Sequence, residues 1–89
     1  MNDIDSGLSI KLCDEFTIND FFRTTEKYPS LNIDVKQKES TVDGKSFVGL
    51  ISLDLSKPIC VKAISQDKES LEKFYVEISR WKCIETSEQ

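Results

Sequence analysis

The sequence predicts an α+β open-faced β-sandwich. Three helices cover one face of a four-stranded, mostly antiparallel sheet, in the order βαββαβα. Three observations lead there. Short runs alternate apolar and polar residues, as in Leu31, Ile33 and Val35 against Asn32, Asp34 and Lys36, which is the period of a half-buried strand. Helical apolar stripes fall between and after those runs. A helix with one apolar stripe needs one sheet face to cover, so the strands and helices account for each other.

The elements follow in order. Leu8, Ile10 and Leu12 alternate with Ser9 and Lys11 as a first strand. After the loop Cys13–Phe16, Thr17 is placed as an N-cap with Asp20 three residues on, and Phe16 and Phe21 are spaced as a hydrophobic staple. Ile18, Phe21, Phe22 and Thr25 share one face, giving a helix from Ile18 to Lys27 that Pro29 ends by biasing Tyr28 out of helical geometry. Leu31–Val35 is the second strand. Lys38-Glu39 turns, and Ser40–Val42 returns antiparallel. Asp43-Gly44 is a turn signal. Ser46 caps a short apolar helix through Leu53, and Pro58 excludes its continuation. Ile59–Ile64 is dense in apolar and β-branched residues, as a central strand is. With Asp67 as N-cap, Lys68–Trp81 forms the last helix, whose stripe is Leu71, Phe74, Tyr75, Ile78 and Trp81. Glu69 and Lys73 form an i,i+4 pair on its wet face.

The 89 residues accommodate one domain spanning 1–89, with polar stretches 1–7 and 82–89 expected as flexible ends. A net charge of -4 argues against a nucleic-acid partner, which needs a basic surface. No apolar run approaches the roughly 20 residues that span a bilayer. Met1–Gly7 carries Asp3 and Asp5 and lacks a signal-peptide pattern, so no membrane association and a cytoplasmic location are expected. Cys13, Cys60 and Cys83 are too widely spaced for a disulfide framework or a zinc pattern, and no metal or cofactor is expected. Cys60 reads as a small buried hydrophobe in its strand, and Cys13 has no adjacent base to activate it.

One stretch carries more information than the rest: Gly44-Lys45-Ser46-Phe47-Val48-Gly49-Leu50-Ile51-Ser52-Leu53. It resembles the regulatory-serine helix of HPr, the small phosphocarrier of the bacterial sugar phosphotransferase system. Lys27-Tyr28, Ile33-Asp34-Val35 and the order of elements from Leu8 to Ile78 are similar to that family as well. HPr carries a phosphoryl group on a histidine that caps its first helix, and this chain contains no histidine. The matching place falls on Asp14 or Glu15. Phe16 and Thr17 stand where the family has an arginine and a proline, and the loop Ser56-Lys57-Pro58 is about two residues short by the same comparison.

The resemblance implies a non-enzymatic, regulatory or partner-binding protein that has lost phosphotransfer. It implies Ser46 as a serine-kinase target, with the modified protein binding a transcription regulator. A phosphate at a helix N-terminus meets unpaired N–H groups and the positive end of the dipole; Lys45 would favour it and Asp43 oppose it. Ser46 reads equally as a plain N-cap, and both roles are compatible. If Leu50 and Leu53 face the sheet, Phe47, Val48 and Ile51 turn outward, at the positions where the family's partners grip; as ordinary core residues they would turn inward instead. Asp14 or Glu15 has three readings: a solvated loop acid, a fixed charge mimicking the phosphorylated carrier, or an acyl-phosphate acceptor replacing histidine. The alternatives for the whole chain are thus phosphotransfer through Asp14 or Glu15, or a binding domain unrelated to sugar uptake.

Overall fold

The computed structural model describes residues 7–12 and 14–82. Its elements are β1 (Leu8–Ile10), α1 (Glu15–Glu26), β2 (Asn32–Gln37), β3 (Ser40–Asp43), α2 (Phe47–Ile51), β4 (Ile59–Ile64) and α3 (Lys68–Ile78), with a 3-10 turn at Ser79–Trp81. The sheet runs β1-β4-β2-β3, and every neighbouring pair is antiparallel. The register sets Ile10 opposite Ile59, Leu8 opposite Val61, and Val61 opposite Val35. These side chains share one face, since opposed residues point the same way. The core is the seam between that face and the helices: Ile10, Ile33, Val35 and Val61 from the sheet meet Ile18 and Phe21 of α1, Leu50 of α2, and Phe74 and Ile78 of α3.

Among the described residues no element covers the other face. Ser9, Cys60 and Lys36 stand in register across β1, β4 and β2, and Asp43, Asp34 and Lys62 across β3, β2 and β4. Cys60 is therefore not the buried core residue expected from its apolar neighbours. It sits half-buried on the outward face, because β4 buries only Ile59, Val61 and Ala63. Cys13 and Cys83 lie outside the described residues.

α1 starts earlier than its periodicity suggests. Asp14, not Thr17, is the N-cap: its Oδ1 accepts from the Thr17 N–H and from the Thr17 hydroxyl, both at 2.8 Å. A carboxylate suits the positive end of a helix better than a hydroxyl does, and Thr17 serves it as donor. Phe16 consequently falls in the first turn and is 82% exposed, so no staple forms with Phe21. Phe21 is buried edge-on to Trp81, with ring centroids 6.2 Å apart. Thr24 and Thr25 are buried and donate back to the carbonyls of Asp20 and Phe22.

α3 begins at its expected cap, with the Ser70 N–H donating to Asp67 Oδ1 at 3.2 Å. It ends at Ile78, and the chain tightens into the 3-10 turn that carries Trp81 back toward β1. The Lys11 N–H donates to the Trp81 carbonyl at 3.0 Å and Ile10 pairs with Lys82, so Lys82 belongs to the structured part rather than to the expected flexible end. Gly7 at the other end is fixed as well: at φ +84 a side chain there is strained, and a Cβ would lie 2.6 Å from the Val61 carbonyl oxygen. No described helix is long and apolar enough to cross a membrane.

Candidate functional site

The candidate site is built by the turn between β3 and α2. Gly44 is buried against β2, its N–H donating to the Ile33 carbonyl at 2.8 Å. A Cβ there would stand 2.4 Å from Ile33 Cγ2, so only glycine fits. Asp43 shapes the same turn twice: Oδ1 accepts from the Lys45 N–H at 2.9 Å, and its carbonyl accepts from the Ser46 N–H at 2.9 Å. Its carboxylate is thus directed at the backbone of the turn, as Asx turns are.

Ser46 follows in extended geometry, φ -109 and ψ 109, as the N-cap of α2. Its Oγ accepts from the Gly49 N–H at 3.2 Å and its carbonyl from the Leu50 N–H at 3.0 Å. The side chain is half-buried. Lys45 does not supply a loose cation next to it. Its Nζ donates to the Tyr28 carbonyl at 2.8 Å, which lashes the turn to the end of α1.

α2 then presents two sides. Leu50 is fully buried and Leu53 nearly so, while Phe47, Val48 and Ile51 are 39%, 73% and 51% exposed. Phe47 leans edge-on against Phe22 of α1, with centroids 5.3 Å apart, and Val48 and Ile51 stand clear. Gly49 lets the helix lie close to β3: a Cβ on it would be 3.1 Å from Val42 Cβ. The far end of α2 is held by a reciprocal clasp. The Gln37 amide donates to the Asp54 carbonyl and accepts from the Asp54 N–H, both at 2.8 Å. The Asp54 carboxyl is itself held below its usual range, first by the Ser56 hydroxyl and then by the Ser56 N–H.

Asp14 and Glu15, the two positions that the resemblance singled out on the sequence, lie at the start of α1. The Asp14 carboxyl is held below its ordinary 3.8, first by the Thr17 N–H, then by the Thr17 hydroxyl. Glu15 is exposed in the first helical turn. Among the described residues no group of three or more acids, cysteines or histidines is gathered to hold a metal ion.

The architecture has a counterpart among solved structures. The chain superimposes on the crystal structure of HPr-C-His from Thermoanaerobacter tengcongensis with a TM-score of 0.65, at 25% identity, covering 83% of this chain and 92% of that one. The fold is HPr-like. No protein-family model and no curated protein sequence matches the chain. On this HPr-like scaffold three side-chain ties escaped the sequence reading. They are Lys45 to Tyr28, Gln37 to Asp54, and Glu77, which accepts from Tyr28 at 2.7 Å and also from Lys27. Each joins residues 17 or more apart, and no local pattern encodes such a pair.

Proposed function

We propose that this HPr-like protein has lost the phosphocarrier role and acts by contact. It docks a cytoplasmic protein partner through Phe47, Val48 and Ile51 and is regulated at Ser46. The observation that carries the reading is the pairing of an outward apolar helix face with a chain that has no imidazole. Large apolar side chains left in water on one short helix are what a docking surface presents. Relaying phosphate near neutral pH calls for a nucleophile that titrates there, and histidine is the side chain whose ordinary pKa does so. Asp14 is poorly suited to replace it, because Oδ1 is engaged by Thr17 and a carboxyl held low is a weak nucleophile.

Regulation at Ser46 rests on its place beside that face. A phosphoryl group on Oγ would set a dianion next to Phe47 and Val48, altering what the surface accepts. A serine kinase and a transcription regulator are the partners this reading points to.

Two incubations test it. With the general phosphotransferase enzyme and labelled phosphoenolpyruvate, no label is expected on the wild-type protein; an acid-stable, base-labile adduct would instead place an acyl phosphate on Asp14 or Glu15. With an HPr-type serine kinase, intact mass is expected to rise by one phosphate, and Ser46→Ala to abolish the gain. An unmodified folded wild type would sink the Ser46 half of the proposal.

A further inference from the structure

α3 carries an exposed apolar side chain that its own packing does not explain. The inward stripe is complete in Leu71, Phe74 and Ile78, yet Val76 stands 72% exposed on the outer side. Glu72, also exposed, lies one helical turn before it on the same side. Two grooves flank this crest, and Glu72 and Val76 line both. The groove on the α1 side is walled by Lys27, Tyr28 and Glu77, which are already tied to one another. The groove on the β1 side is mostly apolar, with Leu8 and Tyr75 along it and Gly7 at its edge.

The β1-side groove has a charge order along α3. Glu72 stands at one end, Ser79 follows the apolar middle, and Lys82 stands at the other end. Among the described residues neither Glu72 nor Lys82 belongs to a side-chain ion pair. The neighbouring Arg80 is engaged differently, with its guanidinium 4.2 Å from the centre of the Trp81 ring. An acid and a base at opposite ends of an apolar groove set the direction of whatever lies in it.

We infer that this groove receives the same crest of a second copy, with the two α3 helices antiparallel about a two-fold axis near Val76. Val76 of each chain enters the other's groove against Leu8 and Tyr75, as a helix ridge enters a groove. Each Glu72 meets the partner's Lys82. A two-fold contact is self-complementary, so one operation supplies both ion pairs. The parallel two-fold is disfavoured, because it sets Glu72 on Glu72 and Lys82 on Lys82. The charge order thus selects a second copy of this chain in one orientation. A contact centred on one valine is smaller than a standard interface of about 1,600 Å², so the association is weak. This inference is independent of any role for Ser46 or the α2 face.

Sedimentation and NMR on the full chain test it. The average mass should rise toward that of a dimer as concentration approaches about 1 mM, with amide shifts moving at Leu8, Glu72, Val76 and Ser79. Mixed labelled and unlabelled chains should give intermolecular NOEs from the Val76 methyls to Leu8 and Tyr75. Glu72→Lys and Lys82→Glu should each weaken association about tenfold, and the double variant should restore it, because the swap exchanges the two ends of the groove. Val76→Asp should leave a folded monomer. Four results would overturn the inference: a monomer at the highest concentration, concentration-dependent shifts confined to Phe47, Val48 and Ile51, intermolecular NOEs that bypass Val76, or a double variant no better than the single ones.

Discussion

Tyr28 donates a 2.7 Å hydrogen bond to Oε1 of Glu77, joining the end of α1 to the last turn of α3. The same tyrosine stacks edge-on to Phe74 and gives its carbonyl to Lys45. Three separate parts of the chain meet on this one residue, so its chemistry bears on stability at both ends of the pH scale.

Tyr28 is pushed up to about 12 from 10.0, by partial burial first, then by its bond to Glu77 and by that carboxylate's charge. A phenol with a raised folded pKa contributes stability that is complete below pH 10 and is lost as pH rises through 12. Glu77 is held below 4.5, first by Lys27 and then by Tyr28, so its contribution is complete above 4.5 and fades as pH falls through its lower folded value. Urea midpoints measured against pH should therefore drop on both flanks. Tyr28→Phe should flatten the alkaline flank and cost about 1 kcal/mol at neutral pH, the value of a hydrogen bond to a charged group discounted for exposure. An ultraviolet titration in which both tyrosines ionise near the unperturbed value of about 10 would contradict this.

Asp14→Ala should lower the denaturation midpoint by removing the α1 cap, with Asp14→Asn falling between the two because its amide oxygen still accepts from Thr17. Asp14 also predicts acid sensitivity. Its folded pKa lies below 3.8, so its contribution is present above that pH and lost beneath it. An alanine variant as stable as wild type at neutral pH would show that Thr17 or another group caps the helix unaided.

Lys38 adopts φ 55, the left-handed region, in the two-residue turn between β2 and β3. A lysine there is strained by about 1 kcal/mol, and glycine or asparagine is not. Lys38→Gly and Lys38→Asn should each raise the urea midpoint, by about 0.5 kcal/mol once the greater freedom of the unfolded chain is offset. A fall in both variants would reject the strain.

Gly44→Ala should destabilise by about 2 kcal/mol, since its Cβ would overlap Ile33 in the core. Ser46→Ala should cost about 1 kcal/mol through loss of the α2 cap alone. The contrast matters for reading any Ser46 phenotype. Circular dichroism must show that Ser46→Ala is folded before a lost interaction is ascribed to the missing hydroxyl.

The strands were legible because a one-sided sheet writes its burial into alternate positions, as in Ile33 and Val35. Asp67 and Ser46 were legible as caps because each stands directly before an apolar-periodic run. The start of α1 was misplaced at Thr17 for the same reason: Asp14 and Thr17 are both capping residues one turn apart, and only the three-dimensional bond shows that Asp14 accepts. Cys60 misled because its apolar neighbours hid the alternation of β4. At the candidate site the outward set of Phe47, Val48 and Ile51 followed from helical spacing once Leu50 faced inward. The bonds of Lys45 and Gln37 did not, since the chain must fold before those partners meet.

The strand order carries a kinetic consequence. β4, the last of the described strands in chain order, lies between β1 and β2. Until Ile64 has left the ribosome, the one pairing of described strands open to the nascent chain is the β2–β3 hairpin, which is marginal by itself in water. Assembly must then wait for contacts spanning about fifty residues, from Leu8 to Val61, and such long closures slow folding. Chains halted before β4 should remain open to proteases, and protection should appear abruptly once β4 and α3 are both available.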